Sequence, residues 1–270
     1  MYSKLRFTFI LLFLLIIFVL CIFNIYSKSN KLPKIIWIYW EQSWENAPKI
    51  CKKCLKSWKK YNKNWKINVL SKENLHKYID MNKYVHNFWK KEPIQSRSDL
   101  IRLNLLNIYG GVWTDATVFC TKSLDEWIHQ STKKTGFFAF DNPGNDRILS
   151  NWFLASYKNN YILNKWCLEF NNYWISVDKS ETYYKCHYIF NKLYEKDSYF
   201  KKVWDKSYKI SANIPHKLKI IDKYSKPNHD IKQHIINLKS PMYKLDHNIN
   251  TDQQLNNDNI YSFLIKHHNI

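Results

Sequence analysis

Two acids and an arginine stand where an otherwise apolar stretch of the chain has little reason to carry charge. Asp99 and Arg102 lie three residues apart, and with Ser98 they are the only strongly polar residues before Asn104 in an apolar stretch. At helical spacing they share one face. One interpretation is an internal ion pair that ties a buried helix to its neighbours. The other is a ligand site, in which Asp99 accepts hydrogen bonds from a ribose or base while Arg102 holds that acid or a phosphate. Asp115 follows Gly110, Gly111 and a short apolar run. That is where an open α/β sheet offers its strand ends to a ligand. Each feature alone is weak. The combined pattern S-D-x-x-R-x-x-x-L-x-x-x-G-G-x-x-x-D, from Ser98 to Asp115, is far more specific, because it brings two acids to one place.

Positioning these side chains requires a scaffold, and the apolar periodicity supplies one. Ile35 to Trp40 is a continuous apolar and aromatic run, as a strand buried on both faces requires. Pro48 opens a helix whose Ile50, Cys51, Cys54, Leu55 and Trp58 form one stripe. Trp65 to Leu70 alternates as a second strand, and Ser71 is expected to cap a helix running through Tyr78. Ser96 or Ser98 is expected to cap the next helix, which Gly110 ends. Val112 to Thr114 then forms a short strand leading to Asp115, and Gly136 to Phe140 another. Ser150 to Tyr157 and Leu163 to Ile175 look helical, and beyond Tyr208 the pattern becomes patchy. Strands and helices in alternation with short connections indicate an α/β fold.

The 270 residues allow one substantial domain, and 45% hydrophobic content allows a large core. Residues 1–6 form a short tail. From Phe7 to Phe23 only Thr8 is not apolar, so 7–25 is expected to be an uncleaved transmembrane anchor, with 26–32 a linker and 33–270 the functional domain. Lys4 and Arg6 before the anchor nearly balance Lys28, Lys31 and Lys34 after it, leaving orientation open. The net charge of +20 is mostly lysine spread along the chain, without a nucleic-acid-binding pattern, so nucleic acid is not the expected partner. Such a basic surface suits anionic lipid or a nucleotide diphosphate. Cys51 and Cys54 form a CxxC with no second half, and the expectation is one helix turn with Cys54 buried.

With these features assembled, the sequence resembles the capsular polysaccharide synthesis glycosyltransferases, relatives of the DXD-containing sugar transferases that include the yeast initiating mannosyltransferase. The resemblance rests on PKIIWIYW (Pro33–Trp40), the segment Ala47–Trp58, SDLIRLNLLNIYGGVWTDAT (Ser98–Thr117), FFAF (Phe137–Phe140), NWFLAS (Asn151–Ser156) and YKL (Tyr243–Leu245). It implies a GT-A fold, a Rossmann-like mixed sheet flanked by helices that binds a sugar nucleotide at its strand ends. It also implies a divalent cation, Mn²⁺ or Mg²⁺, at Asp115, with His247 as a second ligand. Here the Asp-x-Asp motif departs from the pattern: Thr117 stands where the second acid would be, which leaves Lys244 or His247 to meet the diphosphate.

Carried over residue by residue, the resemblance makes Asp115, Asp99 and Arg102 catalytic. It places Trp37, Tyr39, Ser98, Gly110, Gly111, Trp113 and Lys244 around the donor, although core packing claims one of Trp37 and Tyr39. Asp141, Asn151 and Trp152 fall on the acceptor side. The implied reaction moves a sugar from a nucleotide-diphosphate donor to a hydroxyl of a surface or capsular polysaccharide, or of a lipid-linked glycan, with retention. A non-catalytic glycan-binding scaffold of a polysaccharide assembly complex is the alternative. Nucleotide sugars are found in cytosol or the Golgi lumen, so the domain is expected on the cytoplasmic face of a bacterium or in the lumen of a eukaryotic Golgi. The absence of any Asn-x-Ser/Thr leans toward the former.

Overall fold

Strand β1 (Ile35–Tyr39) is an interior strand of the sheet, and its alternation divides the core in two. Ile36 and Ile38 enter one apolar layer and Trp37 and Tyr39 the other. Helix α1 (Lys49–Tyr61) begins directly after Pro48 and buries Ile50, Cys51, Cys54 and Trp58, all fully inaccessible, in the first layer. Cys51 and Cys54 are therefore packing residues, and both are free thiols. Strand β2 (Lys66–Leu70) pairs in parallel with β1. Ser71 does not start a helix. The Asn74 side chain accepts from the Ser71 amide and donates to the Val69 carbonyl, closing a turn that leaves only a short 3₁₀ segment at Leu75–Lys77.

Helix α2 (Ile94–Tyr109) starts three residues before a Ser96 cap and five before a Ser98 cap would allow, with Pro93 at its N-cap position. Pro93 has no amide to satisfy, its φ suits a helix start, and its carbonyl accepts from Ser96. Ser96 and Ser98 thus lie within the helix. Leu100, Leu103, Leu105 and Leu106 are all inaccessible, each contributing about 1.5–3 kcal/mol by burial. Gly110 ends α2 at φ +68, and strand β3 (Gly111–Asp115) follows, parallel to β1 on its other edge.

Strand β4 (Val118–Cys120) leaves the main sheet, and the short helix α3 (Ile128–Thr132) leads on to β5 (Phe137–Gly144). Residues 150–157 are not helical. All but the last belong to β6 (Arg147–Ser156), which pairs antiparallel with β5 across the turn at Asn145 and Asp146. A run buried on both faces carries no periodicity to separate strand from helix, and the tight turn decides it. The sheet order is β2-β1-β3-β6-β5, parallel in its first three strands and antiparallel thereafter. This is the mixed α/β sheet the sequence implies.

Helix α4 (Tyr161–Ser176) packs against α2, where Asn104 and Asn171 exchange reciprocal amide hydrogen bonds of 2.9 and 3.0 Å. Helices α5 (Lys185–Lys196), α6 (Ser198–Asp205), α7 (Asn213–Ile220) and α8 (His229–Ile236) precede β7 (Met242–Lys244), and α9 (Ile260–His267) follows it. Strand β7 pairs antiparallel with β4, setting Lys244 opposite Val118.

This computed structural model describes residues 31–221, 224–248 and 258–270, and Leu32–Ile270 form one compact unit. The anchor expected at 7–25, the tail before it and nearly all of the linker lie outside the described residues. Among those described, no helix is long and apolar enough to cross a membrane.

Candidate active site

Asp115 ends β3 on the side of the sheet that Trp113 faces, so its carboxylate looks toward α2. Arg102 spans the gap. Its Nη2 donates to Asp115 Oδ1 at 2.7 Å and its Nη1 donates to Asp99 Oδ1. From β6, Asn151 donates to the same Asp99 oxygen at 3.0 Å. The far side of Asp115 is closed by Lys244, whose Nζ donates to Asp115 Oδ2 and to Thr117 Oγ1, both at 2.7 Å. The Trp113 indole donates to Asp115 Oδ1 at 3.1 Å, and the Arg102 guanidinium lies over the Trp113 ring, 5.1 Å from its centre. Two carboxylates and two cations therefore form one continuous chain.

Burial sets the two acids apart. Burial alone would raise the Asp115 carboxyl, but Lys244 and Arg102 outweigh it and hold the pKa at about 2. For Asp99 burial prevails: Arg102 offsets part of it, the Asp115 charge adds to it, and the pKa stands at about 6. The Arg102 Nε is buried and has no hydrogen-bond partner among the described residues. A buried donor left over beside paired acids is an unusual arrangement, and a ligand site is one place to expect it.

A cleft of about 420 Å³ opens over this chain, within the range of small-molecule sites. Ser98, Asp99, Arg102, Asp115, Thr117 and Lys244 line its floor. Tyr39, Trp40, Tyr183, His187 and His247 form its walls. Glu41, at the rim, is clamped by Arg97 through bonds of 2.6 and 3.1 Å, which fixes the end of β1 against α2. His187 is driven to a pKa of about 3, first by burial and then by Arg147 and Arg102, so it is a neutral imidazole there.

Other residues expected at the site lie elsewhere. Trp37 is 1% exposed and donates its indole N–H to the Gly110 carbonyl, so of the pair Trp37 and Tyr39 it is Trp37 that packs in the core. Gly110 and Gly111 are at the opposite end of β3 from Asp115, and they shape the α2–β3 turn without lining the cleft. Trp113 is inaccessible and touches Asp115 from behind. Trp152 is 6% exposed and stacked on Phe140 with centroids 5.0 Å apart, which leaves no face for a sugar. It alternates with Asn151 along β6, and the pleat sends the two to opposite faces of the sheet. Asp141 is on β5, outside the cleft, with its backbone bridged to Ser211. Trp40, Tyr183 and His187 were not legible as site residues. His187 in the first turn of α5 and Tyr183 just before it lie far from any motif, and only the packing of α5 on β6 delivers them.

The residues present do not fit a divalent cation. Both Asp115 oxygens already accept from cationic side chains, and Thr117 offers a hydroxyl that Lys244 also uses. A metal ion bound roughly 2 Å from Asp115 would lie within about 5 Å of the Lys244 ammonium. At an effective dielectric of about 20 that repulsion is on the order of 7 kcal/mol. His247 is 61% exposed with Nδ1 3.8 Å from Asp246, and no ion pair joins it to Asp115 among the described residues. Nor do three His, Cys, Asp or Glu side chains converge anywhere among those residues.

Several known proteins are similar to this chain. The O-glycosyltransferase braB of Annulohypoxylon truncatum is 24% identical over 170 residues, spanning 56% of this chain and 40% of that protein. Glycosyltransferase afumC of Aspergillus fumigatus is 31% identical over 101 residues, 33% of this chain and 26% of that one. The O-glycosyltransferase PaGT of Phomopsis amygdali is 25% identical over 164 residues, 54% and 40% respectively. The matches thus span less than half the length of these curated relatives. Among solved structures, the PaToxG glycosyltransferase superposes with a TM-score of 0.42 at 20% identity, covering 69% of this chain and 79% of that one. The family model described as capsular polysaccharide synthesis protein matches residues 20–264, nearly the whole sequence, and the chain belongs to that family.

Proposed function

We propose that this chain is a glycosyltransferase that moves a sugar from a nucleoside-diphosphate donor to a hydroxyl of a growing surface polysaccharide or lipid-linked glycan. The observation that carries this is the cleft floor, where Arg102 and Lys244 converge on an acid kept ionised at all ordinary pH. Two cations on a cleft floor suit a diphosphate, and the Asp99 and Asp115 carboxylates offer acceptors for ribose hydroxyls. Two of the relatives are O-glycosyltransferases, which supports a hydroxyl acceptor.

In the proposed reaction the bond between the anomeric carbon and the β-phosphate oxygen breaks, and its electron pair leaves on that oxygen. The acceptor oxygen forms the new bond from the same face, and its proton passes to the departing phosphate, giving retention. The leaving group thereby serves as the base, so no further acid is required of the protein. Arg102, Lys244 and the Trp113 N–H hold Asp115 in a fixed position throughout, a preorganised floor. The apolar run at 7–25 would anchor the domain beside a membrane-bound acceptor, on the cytoplasmic face in a bacterium.

The test is a thermal-shift screen of the full chain against UDP-, GDP- and CMP-sugars, followed by transfer assays on the wild type and Asp115→Ala. Binding to the folded state raises its melting temperature by mass action. One nucleotide should shift melting, and Asp115→Ala should abolish transfer. A wild type that no nucleotide sugar stabilises would instead support a scaffold role, and transfer surviving Asp115→Ala would refute the site.

A further inference from the structure

The same floor carries a second conclusion, which rests on the transferase reading. We propose that Lys244 is the built-in counterpart of a divalent cation: its ammonium, seated on Asp115 and Thr117, meets the donor diphosphate, and donor binding needs no metal ion.

Charge balance is the first argument. An Asp-x-Asp pair with a divalent ion sums to zero. Asp115, Thr117 and Lys244 also sum to zero, because the second acid is replaced by a neutral hydroxyl and the double charge by a single one. The ammonium lies 2.7 Å from both side chains of the motif. Lysine has three N–H donors, and two are accounted for by Asp115 and Thr117. The third is left for the cleft, which Lys244 lines.

Local architecture is the second. Lys244 reaches the motif from 129 residues away in the chain, and three contacts fix it there. Strand β7 pairs with β4 so that Lys244 is opposite Val118, and the Leu245 amide donates to the Thr117 carbonyl at 2.9 Å. The Trp58 indole holds the Val118 carbonyl at 2.8 Å from the other side. The Lys244 side chain is only 14% exposed, and its neighbour Tyr243 is inaccessible. A lysine that merely balanced a surface acid would not need a strand pair to hold it. Arg102 approaches Asp115 from the opposite side, so the incoming diphosphate meets a cation on either flank of one carboxylate.

The experiment is calorimetric titration of the full chain with UDP, GDP and ADP, in EDTA and in Mn²⁺. For whichever nucleotide binds, the wild-type affinity should differ by less than about threefold between the two conditions. Lys244→Gln should weaken it by about tenfold or more, the range of one charge-assisted contact, with no restoration by Mn²⁺. Lys244→Arg keeps the charge and should recover most of the affinity, which separates loss of charge from loss of folding. The double variant Thr117→Asp with Lys244→Ala rebuilds the acid pair. It should bind Mn²⁺, seen by electron paramagnetic resonance, and its nucleotide affinity should become metal-dependent. A wild type that binds nucleotide only with Mn²⁺ sinks this inference and leaves the transferase reading standing. So does a folded Lys244→Gln that binds as the wild type does. A wild type that binds no nucleoside diphosphate in either condition defeats both.

Discussion

The two ends of the five-residue strand β3 serve opposite purposes. At its start, Gly110 and Gly111 hold φ values of +68 and +95, and a Cβ on Gly111 would meet the Ile35 carbonyl oxygen at 2.5 Å. No ligand is involved: the backbone of β1 lies so close that only glycine fits. At its end, Asp115 has no such steric demand. It is held by side chains, through the charges of Arg102 and Lys244 and the Trp113 indole N–H, and about a quarter of its own side chain is exposed. In the sequence both ends belong to one motif. In space one end builds the fold and the other does the chemistry, so the residues of a motif need not share a reason for being there.

If that division holds, the largest single effect is on folding and comes from the glycine end. Gly111→Ala forces an L-residue to a positive φ and against a backbone oxygen that cannot move without shifting β1. It should destabilise the domain by about 3–5 kcal/mol, the upper range for one substitution, read as a lower denaturation midpoint. A loss under about 1 kcal/mol would mean that the turn is not what fixes β3. Asp115→Asn is the converse. It should lower transfer by about 10²- to 10³-fold while stability falls by only about 1–2 kcal/mol, since Arg102 keeps Asp99 and Lys244 keeps Thr117. Should both variants lose stability equally, the two ends are not distinct.

Much of the cleft floor was legible because it is local. Asp99, Arg102 and Asp115 span 17 residues, and helix spacing followed by a glycine exit is enough to bring them together. The same logic read β1, β2, β3 and the helix after Pro48. It failed where no local signal exists. Apolar patterning predicts Asn151 and Trp152 as helical neighbours on the acceptor side, but a strand sends them to opposite faces, one onto Asp99 and one into the core. Tyr183 and His187 depend on how α5 docks, which no spacing encodes. Lys244 was found through the resemblance, and its bond to Thr117 needed the β4–β7 pair to become visible.

A smaller effect separates the two acids by pH. The Asp115 pKa is below its ordinary 3.8, so its contribution to stability is complete above about pH 4 and is lost as pH falls through about 2. The Asp99 pKa is raised, so its sign is reversed. The folded state favours the protonated acid, and the stability this gives is present below about pH 4 and lost as pH rises through about 6. Asp99→Asn removes that loss. Between pH 4 and 7 the variant should gain about 2 kcal/mol relative to the wild type, in urea unfolding at each pH. An unchanged difference across that window would place Asp99 as ionised throughout.

The smallest effect probes the residue between the two ends. Trp113 packs fully in the core like the glycine end, yet its indole N–H reaches Asp115 like the chemical end. Trp113→Phe keeps an aromatic ring under Arg102 and removes that one donor. Asp115 still accepts from two cations, so the variant should lose about 1 kcal/mol of stability and about three- to tenfold in transfer. The loss should appear in turnover more than in donor affinity, because the N–H orients the carboxylate and does not itself face the cleft. If transfer instead falls as far as in Asp115→Asn, orientation by the indole outweighs both cations, and the chemical end of β3 begins two residues earlier than its charges indicate.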